Sequence, residues 1–201
     1  MIAIIDYGTG NLRSVQKAFE HVGAKTCITD KPQDILSAEK VMLPGVGAIK
    51  PAMKRLETLG LVDPIKAFIK SGKPFLGICL GLQLLFEQSE EGGEVQTLSI
   101  LPGKVTRFTN LKVPHMGWNE IEIEKPNCPL FKGIKPLTNF YFCHSFFVVP
   151  SQKDVVATTT DYGRRFTSSV WKDNLFAVQF HPEKSQRNGL TILKNFCHLK
   201  I

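Results

Sequence analysis

The chain has 201 residues, 43% of them hydrophobic, and a formal net charge of +7, a size that suits one domain spanning residues 1–201 with a substantial core. No run of 18 or more apolar residues occurs and the opening apolar stretch meets Asp6 at once, so neither a membrane span nor a secretory leader is expected, and a cytoplasmic location is. Lys and Arg are spread along the chain and never exceed two in a row, which argues against a nucleic-acid-binding stripe and leaves an acidic partner surface or a solvated exterior as the use of the charge.

Residues 1–5 form an apolar run ended by Asp6-Tyr7-Gly8-Thr9-Gly10, and residues 11–22 carry Leu12, Val15, Phe19 and Val22 at helical spacing. This predicts strand, turn and helix. Gly8-Thr9-Gly10 could open a dinucleotide-binding turn, but the third glycine of G-x-G-x-x-G would fall at Arg13, so that cofactor site is not expected. The unit recurs with a strand at 40–43 entering Pro44-Gly45-Val46-Gly47, helical stretches at 51–59 and 61–70, and an apolar strand at 74–78. Strands alternating with helices imply a parallel sheet.

Phe75-Leu-Gly-Ile-Cys79-Leu-Gly-Leu-Gln-Leu-Leu-Phe-Glu87 runs an apolar strand into G-x-C-x-G and then a predicted helix of about ten residues, a nucleophile elbow with sulfur in place of oxygen. Gly77 and Gly81 are needed because side chains there would collide with neighbouring backbone in so tight a bend. Cys79 would then meet unpaired N–H groups at a helix start, which favour its anion. The other four cysteines, Cys27, Cys128, Cys143 and Cys197, are scattered without a C-x-x-C pair, which predicts free thiols rather than a metal site or disulfide framework. By itself a buried cysteine is usually a small hydrophobe; the elbow context points to chemistry.

From about residue 95 short alternating runs at 105–108, 121–124, 140–143, 155–160 and 175–180, broken by Pro and Gly, predict an antiparallel or mixed section added to the sheet. The run at 175–180 delivers His181-Pro182-Glu183 to its C-terminal end, where open α/β sheets place their catalytic groups. Pro182 keeps His181 extended, so the Glu183 carboxylate can hydrogen-bond the imidazole and fix its tautomer. Of five histidines only His181 has a carboxylate two residues away. The glycine loop after the strand at 40–43 can aim amides at a developing oxyanion together with the N–H of Leu80, or can be a plain turn. A helix at 185–199 closes the chain. The expected fold class is α/β: an open, mostly parallel twisted sheet flanked by helices, with an added antiparallel strand section.

Together these segments resemble the class I (triad-type) glutamine amidotransferases, from the first strand to the last helix, which implies a flavodoxin-like sheet. Within that family Asp6-Tyr-Gly-Thr-Gly-Asn-Leu-Arg-Ser-Val15, Pro44-Gly-Val-Gly47, Pro114-His-Met-Gly-Trp-Asn119 and His181-Pro-Glu-Lys-Ser185 resemble the glutaminase subunits of histidine biosynthesis, with the 114–119 segment the most discriminating. The resemblance implies that Cys79 is the nucleophile, His181 the general base and acid, Glu183 its orienter, and Val46 and Leu80 the oxyanion donors. It assigns Gly45, Gly47, Gln83, His144, Ser145 and Phe146 to the L-glutamine pocket. Trp118, Tyr141 and Lys184 would face the partner and the ammonia exit; read alone they are two core aromatics and a surface lysine. The family usually has an aromatic hydroxyl where this chain has Phe146, so only backbone contacts are expected there. No cofactor or metal is implied, and the implied partner is a (β/α)8-barrel cyclase subunit in a heterodimer. A glutaminase serving pyridoxal phosphate, anthranilate or GMP synthesis would share the triad and differ in the 114–119 segment.

Overall fold

The computed structural model describes residues 1–199. Its first part alternates β1 (Ile2–Ile5), α1 (Leu12–His21), β2 (Thr26–Thr29), α2 (Pro32–Ser37), β3 (Lys40–Leu43), α3 (Ile49–Thr58), α4 (Val62–Lys70), β4 (Phe75–Ile78) and α5 (Leu80–Gln83). Short strands β5 (Gln88–Ser89) and β6 (Val95–Gln96) lead to β7 (Gly103–Arg107), β8 (His115–Ile123), β9 (Thr138–His144), β10 (Phe146–Pro150), β11 (Val156–Asp161) and β12 (Arg165–Lys172). β13 (Leu175–Val178) and α6 (Gln186–Cys197) end the fold.

The centre of the sheet is the parallel order β2-β1-β3-β4-β13, the doubly wound arrangement in which ligands sit beyond the carboxyl ends of the strands. Next to β13 the sheet continues antiparallel through β12, β10 and β7, and β11, β8 and β9 branch from β12. The central strands alternate between two cores. Ala3 and Ile5 of β1 pack with Ile49, Leu56, Ile65 and Phe68 of α3 and α4, while Ile2 and Ile4 pack with Phe19 of α1 and Leu193 and Phe196 of α6. A strand covered on both faces has no polar side, which is why these segments read as unbroken apolar runs. The rings of Phe19 and Phe196, with centroids 6.2 Å apart, join the first helix to the last.

The expected ten-residue helix after Cys79 is corrected to the four residues of α5. Beyond Gln83 the carbonyls of Leu84, Leu85 and Phe86 accept N–H groups of Leu98, Ser99, Ile100 and Leu101 instead of the next helical turn. Leu82, Leu84, Leu85 and Phe86 are fully buried, so tertiary packing overrides the helical preference of this leucine-rich run. β2 escaped the sequence reading because Thr26-Cys-Ile-Thr29 is a half-buried edge strand with no apolar run. Among the described residues no helix is long and apolar enough to cross a membrane.

Candidate active site

Cys79 leaves β4 with φ 53° and ψ −106°, a conformation that costs a non-glycine residue about 1–3 kcal/mol and persists only where its surroundings enforce it. Here they do. The Cys79 N–H donates to the Val178 carbonyl at 2.8 Å, and its carbonyl accepts from the amides of Leu82 and Gln83 at 3.0 and 3.3 Å. A Cβ on Gly77 would stand 2.8 Å from the Gly81 carbonyl oxygen, and one on Gly81 would stand 2.0 Å from that of Leu43. The two glycines therefore let α5 fold back against β3 and β4, as the spacing predicted.

β13 lies beside β4 with Val178 opposite Ile78, so Cys79 and His181 leave the same end of the sheet on adjacent strands. The His181 N–H donates to the Tyr141 carbonyl at 2.9 Å, and Ser185 Oγ donates to the His181 carbonyl at 2.6 Å while accepting the Tyr141 N–H at 2.9 Å. His181 Nδ1 is 2.8 Å from Glu183 Oε1, with both side chains at most 3% exposed. A carboxylate only accepts, so Nδ1 carries the proton and Nε2 is left free for chemistry in the cavity that His181 and Cys79 both line. Burial opposes charge on this imidazole, but the sulfur and Glu183 outweigh it and raise the His181 pKa to about 10.

Over these groups opens a cavity of about 230 Å3. Cys79, Leu80 and His181 line it together with Val46, Gly47, Gln83, His144, Ser145 and Phe146, so most sequence candidates converge. Gly45 does not: it is buried behind the wall, where a Cβ would meet Leu80 Cβ and Tyr7 Oη at 2.6 Å. Its glycine identity serves close approach of loop and elbow. Trp118 and Tyr141 also lie outside the cavity, their rings packed edge to face at 6.2 Å. Lys184 joins the two regions, lining the cavity while its Nζ stands 5.7 Å from the Tyr141 ring centroid. Trp118 and Met116, 48% and 61% exposed, present an apolar patch beside this mouth.

Glu91 was missed. It lines the cavity, and its Oε2 accepts the Ile49 N–H at 2.8 Å at the start of α3. Nothing in Glu90-Glu91-Gly92-Gly93 distinguishes it from a solvated turn; the return of the chain past the 44–47 loop gives it its place.

A pair of imidazoles supports the wall. His144 Nδ1 donates to the Phe146 carbonyl at 2.7 Å, so its Nε2 accepts from His115 Nδ1 at 3.0 Å, and His115 Nε2 accepts from Asn119 Nδ2 at 3.2 Å. This order requires both rings neutral, and burial lowers the pKa of His115 to about 4 and of His144 to about 3. Below an unfolded-state value of about 6.5 the unfolded chain binds protons that the folded chain refuses, so stability present above that pH is lost as pH falls toward the folded values. The urea midpoint is expected to decline between about pH 6.5 and 4.5, more weakly in a His115→Phe, His144→Phe double variant; equal declines in both proteins would contradict this.

A strained cysteine elbow facing a carboxylate-held histidine across a small pocket, on a doubly wound sheet, is a site built for acyl transfer from an amide or ester. The chain belongs to the class I glutamine amidotransferases: the sequence model of the family described as Glutamine amidotransferase class-I matches residues 3–199. Among its relatives are the proteins named imidazole glycerol phosphate synthase subunit HisH from Syntrophotalea carbinolica, 56% identical over 98% of both chains, and from Moorella thermoacetica, 54% identical over 98% of this chain and 94% of the relative. Similar solved structures include a glutamine amidotransferase with TM-score 0.77 and 17% identity, covering 98% of this chain and 100% of that one, and PurLQS from Thermotoga maritima with TM-score 0.76 and 18% identity, covering 98% and 96%. At those identities the solved structures speak for the fold.

Proposed function

We propose that this chain is the glutaminase subunit of imidazole glycerol phosphate synthase, a single-domain cytoplasmic enzyme of histidine biosynthesis. It hydrolyses L-glutamine to L-glutamate and ammonia and passes the ammonia to a (β/α)8-barrel cyclase subunit, its partner in a heterodimer, which makes imidazole glycerol phosphate and AICAR. The observation that carries this reading is the 2.8 Å bond between His181 and Glu183 at the wall of the cavity that also exposes Cys79. The cavity volume of about 230 Å3 lies below the roughly 300–1,000 Å3 of pockets for larger ligands and suits a single amino acid.

In the proposed reaction the Cys79 thiolate attacks the side-chain carboxamide carbon (Cδ) of glutamine, the C=O π bond opens, and the oxygen gathers the negative charge. The Leu80 N–H donates to that oxygen, joined by the Val46 N–H when the loop turns its peptide inward; Gly47, at φ +100° with no heavy atom within 4 Å of its Cβ position, leaves the loop free to turn. One such donor contributes about 2.7–4 kcal/mol to lowering the barrier. His181 Nε2–H gives its proton to the amide nitrogen, the C–N bond breaks and ammonia leaves. Water then gives a proton to His181 and attacks the thioester carbon, the C–S bond breaks, and glutamate and the thiolate separate. Glu91 pairs with the substrate's α-ammonium, and every proton and electron pair is supplied by substrate, water and side chains.

Ammonia released into neutral water would be protonated and lose its nucleophilicity, so transfer through a covered path follows. Trp118, Tyr141 and Lys184 form the partner-facing mouth of that path. Mixing the chain with a (β/α)8-barrel cyclase subunit should give glutamine-dependent cyclase turnover, and cyclase that works with added ammonium salts but never with glutamine and this chain would refute the assignment. Glu183→Gln should lower kcat by on the order of 100- to 10,000-fold with the fold intact, because an amide no longer enforces the Nδ1–H tautomer. Steady-state glutamate release by the variant at the wild-type rate would remove Glu183 from the site.

A further inference from the structure

Two polar groups approach the Cys79 sulfur. The Cys143 carbonyl oxygen lies at 3.9 Å and Gln179 Nε2 at 3.5 Å. A carbonyl can only accept from a thiol, whereas an amide N–H can only donate to sulfur, so the shorter contact suits the thiolate.

The orientation of the Gln179 amide follows from its neighbours. The Phe146 carbonyl is an acceptor, already receiving His144 Nδ1–H at 2.7 Å, so the Gln83 atom 3.0 Å from it is Nε2. That same Nε2 donates to Gln179 at 3.0 Å, which makes the receiving atom Oε1 and turns the Gln179 Nε2–H toward the sulfur. The backbone holds Gln179 as firmly: it is fully buried, and its N–H donates to the Ser168 carbonyl at 2.8 Å. Its place follows from register, because Val178 stands opposite Ile78 and the next residue on each strand is Gln179 and Cys79.

We propose that Gln179 is a further catalytic residue, whose side-chain amide donates to the Cys79 thiolate, with Gln83 and the Phe146 carbonyl as the positioning groups that aim it. A donor on sulfur favours the anion twice in the cycle, as attacking thiolate and as the group that leaves when the thioester is hydrolysed. The inference rests on Cys79 being the nucleophile.

Gln179→Met keeps length and apolar burial while deleting the donor. With the cyclase partner present, kcat should fall about tenfold while KM for glutamine changes less than about twofold, since Gln179 does not line the cavity and Gln83, which does, keeps its bond to the Phe146 carbonyl, and the pH profile of Cys79 alkylation by iodoacetamide should move up by about one unit, the shift equivalent to a tenfold change. The ionisable groups around the sulfur, His181, His144, Tyr7, Glu91 and Lys184, are unchanged in this variant, so the shift reads the amide. An unaltered kcat and an unaltered alkylation profile would overturn the proposal. Should the variant fail to fold, the wild-type chain decides: the Gln179 side-chain amide proton resonance should follow the alkylation midpoint with pH, and a resonance that stays fixed while Cys79 titrates overturns it. Cys79→Ala separates the two readings: if it still turns over glutamine, the nucleophile assignment itself falls, whereas an inactive Cys79→Ala beside a wild-type-like Gln179→Met removes only the role of Gln179.

Discussion

Cys79→Ala is expected to lower glutamine hydrolysis at least about 10,000-fold while the chain still folds, because the covalent step is lost with the sulfur. The sulfur is small and the residue 6% exposed, so the volume lost is that of one atom. Its removal leaves the Gln179 Nε2–H without the acceptor it now has at 3.5 Å, a cost of about 1–3 kcal/mol for an orphaned buried donor. Glutamate release with the cyclase partner present, measured beside the urea midpoint, separates chemistry from stability: activity should vanish and the midpoint should fall only modestly. Residual turnover within tenfold of wild type would mean that the elbow cysteine is a packing residue.

Gly81→Ala is expected to produce the largest loss of stability of any single methyl addition in the elbow. The new Cβ would lie 2.0 Å from the Leu43 carbonyl oxygen and 3.0 Å from its carbon, and both are backbone atoms of β3 at the centre of the parallel sheet. No side chain can swing aside to relieve the overlap, so α5 must move off β3 and with it the strained φ of Cys79. Losses above about 4 kcal/mol are exceptional and belong to such backbone overlaps; insoluble protein or no cooperative urea transition is the expected result. Gly92→Ala is the control: its Cβ position meets nothing within 4 Å, but φ is +76°, so about 1–2 kcal/mol is expected. Equal stability of the two variants would show that the close approach is not what the elbow requires.

The elbow was legible in the sequence because its constraint is local: two glycines and a cysteine within five residues announce a bend too tight for side chains. His181-Pro182-Glu183 was legible for a related reason, since a carboxylate two residues from an imidazole needs no long-range information to pair with it. What the sequence left dark depends on register or on the return path of the chain. Gln179 reads as one more residue of an apolar strand until β13 is set against β4, and Glu91 reads as surface until its loop passes the N-terminus of α3. Gly45 shows the converse, a residue placed in the pocket by its motif whose packing against Leu80 and Tyr7 under the loop no sequence pattern announces. The length of α5 was overread for the same physical reason: Leu84, Leu85 and Phe86 have the composition of a helix, yet their carbonyls are taken by residues 98–101. The neutral His115–His144 pair belongs to this class too, because its partners are 29 residues apart in the chain and meet only through the pairing of β8 with β9.

The proposed reaction passes through a covalent bond between glutamine and Cys79, which rapid acid quenching of the complex during turnover should trap. Mass spectrometry of the peptide containing Cys79 should find one glutamyl unit attached in a linkage cleaved by hydroxylamine, present with glutamine and absent without it. A glutamyl adduct on any other residue, or undiminished turnover after Cys79 has been alkylated, would rule out Cys79 as the nucleophile.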